Sequence, residues 1–423
     1  MFDPEIGFTA DYIKSPERFV GRHDLIADSI HALNNPYGVV AVYGQRGVGK
    51  SSLLAQIKEL ARANYTLLNT AGVVKPAQMR KYLTVHYVCD SLIEDGYGLI
   101  SRLLNDQNRT TGLLRLVPGE GRELVAITDS QEREGGVDLK LIKGSITDIE
   151  SSTFAKVVPG DLVQTFRNFI TAIVEHQVEP RGMDGLLIVI DEFDQVKSKK
   201  GLGSLFKALT NDKVKFAICG VASDLHDLVE DHASLDRLME QGIVLMAPME
   251  EDELVAIITR AEQLYYNAIT FTPDVKSQIA KFASGYPYIV QMIGRACIRV
   301  LNTEKVSIVD DAMLSKVISE VMSGRGIPNL ERAYQRAIGN SQQRQTLLHL
   351  FAELPNDGAQ ARQIKLQSVR EASRKEGIAN VDQLLPHLMK EDGGVLRRVP
   401  STTPLYEFID PVLKIYIQRR LPT

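Results

Sequence analysis

The sequence predicts an α/β protein: a largely parallel sheet core carrying a β-hairpin insertion, an all-α lid, and a C-terminal winged-helix domain. Three observations lead there. Continuous apolar runs of strand length alternate with helical patterns up to Glu250. Beyond it strand signals vanish and amphipathic helices take over. The chain then closes on three helical patterns followed by a two-stranded hairpin, the order of a winged helix.

Gly38-Val39-Val40-Ala41-Val42-Tyr43 is the first strand, an unbroken apolar run of the kind that a strand covered on both faces shows. Leu53, Leu54, Ile57, Leu60 and Ala61 follow on one helical face. Residues 82–89 read as a second strand and 92–104 as the next helix. Leu186-Leu187-Ile188-Val189-Ile190, Phe216-Ala217-Ile218-Cys219-Gly220-Val221 and the short Ile243-Val244-Leu245-Met246 complete the strands. Strands separated by helices imply βαβ units and a parallel sheet. Between about 109 and 161 the rhythm breaks into short alternating runs punctuated by glycines, such as Val137-Asp138-Leu139-Lys140-Leu141. That pattern predicts a β-hairpin insertion, read as surface elaboration. Helices over 251–264, 273–283, 288–301 and 310–322 make the lid, and 323–329 a linker. Helical patterns around 342–354, 362–375 and 381–392 precede a hairpin of 395–399 with 405–409. The expected domains are 1–248, 249–324 and 325–423.

Composition bounds the functional classes. The chain has 423 residues, 44% apolar, 24% charged, with a net charge of −4, which excludes a mainly disordered, fibrous or uniformly basic protein. No stretch approaches the roughly 18 unbroken apolar residues of a membrane span. Met1-Phe2-Asp3-Pro4-Glu5 lacks the basic start and apolar run of a secretory signal, so a cytoplasmic protein is expected. Cys89, Cys219 and Cys297 lie far apart in apolar segments and read as buried thiols. The eight histidines show no metal-ligand spacing, so zinc is not expected.

One motif dominates. Gly44-Gln45-Arg46-Gly47-Val48-Gly49-Lys50-Ser51 matches GxxxxGK[ST] and lies between a buried strand and an amphipathic helix, where phosphate binding needs it. The glycines let backbone N–H groups, Ser52 included, wrap a triphosphate at a helix N-terminus. Lys50 would reach the β- and γ-phosphates, and the Ser51 hydroxyl would ligate Mg²⁺. Downstream, Asp191-Glu192 ends a buried strand. Asp191 would hold the metal, and Glu192 would orient or deprotonate the attacking water. Hydrolysis of a nucleoside triphosphate is the expected chemistry.

The surrounding segments resemble the AAA+ and STAND ATPases, near the origin-recognition branch. Phe19-Val20-Gly21-Arg22 is similar to that group's FVGR box, which implies that Val20 and Gly21 lie beside an adenine, and hence ATP. Gly220-Val221-Ala222-Ser223-Asp224-Leu225 resembles the first sensor strand and implies Ser223 near the γ-phosphate. Asp231-His232-Ala233-Ser234-Leu235-Asp236-Arg237 resembles the segment whose arginine acts on a neighbouring subunit. Arg237 therefore implies a nucleotide-dependent homo-oligomer. Where the origin-recognition group has a GDAR-like helix start, this chain has Gly285-Tyr286-Pro287, similar to the GxP signature of STAND proteins, in which the proline helps cover the nucleotide. That departure implies a slow switch. Arg295, two turns after Pro287, reads as a surface or structural arginine. Leu405-Tyr406-Glu407-Phe408-Ile409-Asp410-Pro411 resembles the Y-x-F-x-D-P ending of winged helices in such ATPases.

From residue 341 onward there are 12 Lys and Arg against 9 Asp and Glu, whereas the rest of the chain has 37 against 44. A mildly basic module on an acidic motor is expected, with Arg370, Arg374, Arg397 and Arg398 as phosphate contacts. The helix before the hairpin carries Asp382, Glu391, Asp392 and Pro386, which suits base reading poorly. The expected function is an ATP-controlled assembly switch, with ATP and Mg²⁺ as cofactors. Its partner would be double-stranded DNA or a separate effector protein. A DNA-binding regulator or loader whose affinity ATP sets, and a defence signalling component paired with an effector, are the alternatives.

Overall fold

Parallel strands and covering helices occupy the first half of the chain in a computed structural model that describes residues 1–116, 159–220, 242–322, 328–355, 363–390, 394–399 and 404–420. Two compact units divide it: one of Ile13–Gly44 and Lys50–Met246, the other of Met1–Tyr12, Gln45–Gly49 and Ala247–Thr423.

The first unit runs α1 (His23–Asn34), β1 (Val40–Gly44), α2 (Lys50–Ala61), α3 (Thr66–Ala71), β2 (Tyr82–Val88), α4 (Gly96–Leu104), α5 (Pro159–Ile173), β3 (Gly185–Asp191), α6 (Leu202–Leu209), β4 (Val214–Gly220) and β5 (Ile243–Met246). All five strands are parallel, in the order β2-β3-β4-β1-β5. Every residue of β1, β3 and β4 is buried, whereas the edge strands β2 and β5 are only partly buried, β5 with strict alternation. Full burial along the three inner strands follows from their being covered on both faces, whereas the apolar run of β5 lies at an edge and leaves Ile243 and Leu245 exposed. Val85, Ile188 and Phe216 carry one face of the sheet into a core shared with Leu103 of α4, Phe166 and Ile170 of α5 and Phe206 of α6. The helix expected at 92–104 starts only at Gly96, since Asp95 caps it by accepting from Gly98 N at 2.9 Å. Most of the expected hairpin insertion lies outside the described residues; its near end is a 3₁₀ turn at Leu114–Leu116, and its far end falls in the first turn of α5.

The second unit contains α7 (Glu251–Leu264), β6 (Thr270–Phe271), α8 (Pro273–Ala283), α9 (Pro287–Glu304), β7 (Ile308–Val309) and α10 (Asp311–Glu320). The four helices are those expected for the lid. The expected absence of strands does not hold: β6 and β7 pair in parallel, through Thr270 with Ile308 and Phe271 with Val309. A helical turn at Pro4–Gly7 joins this unit through Tyr265 Oη, which donates to Asp3 O at 2.6 Å. Gly294 sits in mid-helix because a Cβ there would lie 2.4 Å from the Phe8 ring.

Then come α11 (Pro328–Ile338), α12 (Gln342–Glu353), β8 (Ile364–Lys365), α13 (Leu366–Lys375), α14 (Val381–Leu388), β9 (Leu396–Val399), β10 (Leu405–Phe408) and α15 (Pro411–Arg419). The strands form an antiparallel sheet of order β8-β10-β9. Three helices, a hairpin and a short third strand make a winged helix, flanked by α11 and α15. Sequence analysis ended the chain on the hairpin, and α15 corrects it: Asp410 accepts from Val412 N at 2.9 Å, and Pro411 opens the helix. Among the described residues no helix is long and apolar enough to cross a membrane.

Candidate nucleotide site

At the C-terminal end of β1 the chain leaves Gly44 and passes through Gln45, Arg46, Gly47, Val48 and Gly49 before α2 begins at Lys50. Gly47 has φ +83° and Gly49 φ +99°, a left-handed conformation that side chains disfavour and that turns successive N–H groups toward one point. Val48, between them, is 1% exposed and anchors the loop.

Parallel pairing sets the partner of this loop. β4 lies between β1 and β3, with Val42 level with Cys219 and Ile190 level with Ile218, so Gly44, Gly220 and Asp191 all end at one edge of the sheet. Ligands of open α/β sheets bind at that edge, where successive connections diverge. The Ser51 hydroxyl lies 3.4 Å from Asp191 Oδ1 across 140 residues of chain. Asp191 is 5% exposed, and its Oδ1 also accepts the Glu192 N–H at 2.8 Å. The first unit is therefore a parallel α/β sheet with Ser51 and Asp191 brought together at the C-terminal edge of its strands.

No family model and no curated protein matches the chain. Among solved structures it is similar, over nearly its whole length, to the Aeropyrum pernix ORC1 protein in complex with DNA, at 13% identity, covering 99% of this chain and 96% of that one, with a TM-score of 0.43. Cdc6p from Pyrobaculum aerophilum is similar at 13% identity, covering 99% and 97%, with a TM-score of 0.41. The Thermotoga maritima RuvB Holliday junction branch migration motor is similar at 15% identity, covering 98% and 100%, with a TM-score of 0.41.

Further groups lie near the Asp191 carboxylate. The Cys219 thiol bonds to Asp191; burial, then the Asp191 charge, pushes it well above the ordinary thiol range, so it stays a neutral donor. Burial likewise pushes Cys89 up to about 12, so neither thiol is reactive. Burial, followed by the Lys58 charge, pushes His86 down to about 4, leaving it neutral. Glu192 is exposed, with φ +52°, at the head of a 3₁₀ turn over Phe193–Gln195. A non-glycine residue held there stores strain, which recurs at functional sites. A hydroxyl beside a buried carboxylate is an oxygen-rich donor pair that suits Mg²⁺.

The upstream segment is tied to α2. Ser52 Oγ accepts from Ile13 N at 3.0 Å, and Gln56 Nε2 donates to Ile13 O at 3.0 Å. The Ser52 side chain is therefore occupied structurally. Val20 and Gly21 form the turn into α1, with Gly21 at φ +72° and Arg22 at φ +62°.

Within the second unit, the loop residues Gln45–Gly49 meet the GxP segment. Tyr286 Oη donates to Gln45 Oε1 at 2.7 Å, and Pro287 is the first residue of α9. Gly285 has φ +88°, and a Cβ there would lie 2.4 Å from Pro248 Cβ. A Cβ on Gly47 would lie 3.0 Å from Val412 Cγ2. Arg295 pairs with Glu5 at 2.8 Å, in keeping with a structural arginine. Ser223 and Arg237 lie outside the described residues. Sequence alone singles out neither Cys219 nor Tyr286; both are apolar-segment residues whose role depends on what folds beside them.

Proposed function

We propose that the chain is an ATP-binding and hydrolysing switch of the AAA+/STAND type, working in the cytoplasm, that couples nucleotide state to self-assembly and to DNA or a partner effector. The apposition of Ser51 and Asp191, together with the left-handed Gly47 and Gly49 in the segment that precedes Lys50, carries this reading. The N–H groups of residues 45–52 bind the phosphates and Lys50 neutralises them. Ser51 and Asp191 hold Mg²⁺, which when bound supplies charge compensation on the phosphate oxygens. Glu192 orients the attacking water and accepts its proton. Val20 and Gly21 face the adenine, Ser223 senses the γ-phosphate, and Arg237 acts on the adjacent subunit. Pro287 contributes to covering the nucleotide. The division into core, lid and winged helix at about 248 and 324 belongs to the same reading.

Two variants test it. Lys50→Ala is expected to lose tight ATP binding, whereas Glu192→Gln keeps binding and stalls phosphate release. Wild-type turnover by Glu192→Gln would remove Glu192 from the chemistry. Sizing the protein with and without ATP, each with and without duplex DNA, tests the switch: an unchanged size in all four samples would count against it.

A further inference from the structure

A second cationic site lies along the edge strand β2, away from the P-loop. A cavity of about 260 Å³ there is lined by residues that include Arg62, Thr84, Thr110 and Arg115. Val88 is level with Asp191, so Thr84 sits four residues, ~13 Å along the strand, from the level of Asp191. Arg62, just past α2, donates from Nε to Thr84 Oγ1 at 2.6 Å and from Nη1 to Glu59 at 3.3 Å. Arg115 donates from Nη2 to Thr84 O at 2.7 Å. These bonds fix two guanidinium groups on either side of one residue of the strand.

Arg62 is paired with Glu59 at 3.3 Å, whereas among the described residues Arg115 forms no ion pair. Burial, then the charges of Arg62 and Arg181, push its guanidinium below the usual arginine range. Each guanidinium has five N–H donors in a rigid fork, and the bonds described use only some of them. Like charges crowded round a cavity cost free energy that an anion would recover, and planar forks match phosphate oxygens well. The volume falls below the roughly 300–1,000 Å³ of sites for drug-sized ligands, so the occupant is small.

We infer that the Arg62–Arg115 cavity is a second anion site, separate from the P-loop, that takes a phosphate monoester group. Arg62 and Arg115 clamp its oxygens. The group could come from free phosphate and small phosphate esters or from the end of a nucleic acid strand; both present the same dianion.

The test uses the full chain carrying Lys50→Ala, which silences the P-loop, titrated calorimetrically with inorganic phosphate. Saturable binding is expected, weakened at least tenfold by adding Arg115→Ala. A melting curve for each variant without phosphate checks that it is folded. A 5′-phosphorylated oligonucleotide and its unphosphorylated twin then separate the sources: preference for the first assigns a strand end, and equal weak binding of both assigns free phosphate. Absence of saturable phosphate binding to the Lys50→Ala protein overturns the inference, as does equal affinity in folded Arg115→Ala protein. Neither outcome bears on ATP binding, which the unmodified P-loop reports separately.

Discussion

Lys215 sits inside the sheet unit at 1% exposure, in a strand whose other six residues are apolar or glycine. Its ammonium donates to Ala32 O at 3.2 Å and Gly38 O at 3.1 Å, joining the last turn of α1 to the approach to β1. Carbonyls at a helix C-terminus favour a cation, but burial, then the Arg80 charge, pushes the group down from 10.5 to about 8. The folded pKa lies below the unfolded one, so between about 8 and 10.5 the unfolded chain binds more protons. Stability therefore rises with pH across that window, and the cost of burying the charge is fully present below it, on the order of 3 kcal/mol. Urea denaturation from pH 7.5 to 10 should show wild-type stability climbing relative to Lys215→Met. Parallel curves would mean that Lys215 titrates normally. The apolar run read from sequence begins only at Phe216, one residue after this lysine; only its neighbours in the fold reveal the staple. Gly47, Gly49, Lys50 and Ser51, by contrast, were legible at once, because backbone conformation and side-chain type act there over consecutive residues.

Between elements, a polar joint in the winged-helix part links α11 to the end of α15. Glu331 accepts from Arg420 Nε at 3.1 Å and Arg420 Nη2 at 3.0 Å, and from the Tyr416 hydroxyl. Burial alone would raise the Glu331 carboxyl, but hydrogen bonds from Arg420, Gln335 and Tyr416 outweigh it and hold the group down to about 2. With the folded pKa below the unfolded 4.5, the stabilisation is fully present above about pH 4.5 and is lost as pH falls toward 2. Its upper bound is about 3 kcal/mol at 1.36 kcal/mol per unit. Denaturation of Glu331→Gln should be less stable than wild type at pH 6 and should lose less on acidification to pH 3. Equal acid sensitivity would show that the joint contributes nothing. Asp410-Pro411 carries a readable helix-start signal, yet the partner that makes α15 matter lies about 80 residues upstream, beyond local pattern.

For the molecule as a whole, the count of basic residues overstated the charge that the winged helix offers a duplex. Arg370 is paired with Asp382 at 2.6 Å and Arg397 with Glu407 at 2.6 Å, so two of the four expected phosphate contacts already face carboxylates. Phosphate contacts release counterions, with a log–log salt slope of roughly −0.9 each. If the domain binds DNA, Arg398→Ala should flatten that slope by about one unit. Arg397→Ala should do less, because removing it frees Glu407 as well. Salt titrations on two unrelated duplexes check both, and equal slopes for the two variants would remove the distinction. No binding at low salt, with or without ATP, would assign the domain to protein contacts.

The sequence by itself determined the inner strands, the lid helices and the phosphate loop. Each is a local matter: apolar runs, helical spacing and glycines act on their own neighbours, so consecutive residues suffice. It also placed Asp191 at a strand end, since an acid closing a buried run has nowhere else to go. Only the tertiary structure decided that β4 lies between β1 and β3, bringing Cys219 beside Asp191 and Ser51 within 3.4 Å of it. It likewise decided that Arg397 is tied to Glu407 while Arg62 and Arg115 flank a cavity. Those outcomes depend on sheet register and on packing between distant segments, which fix what a charge or hydroxyl faces and cannot be summed from its neighbours in the chain.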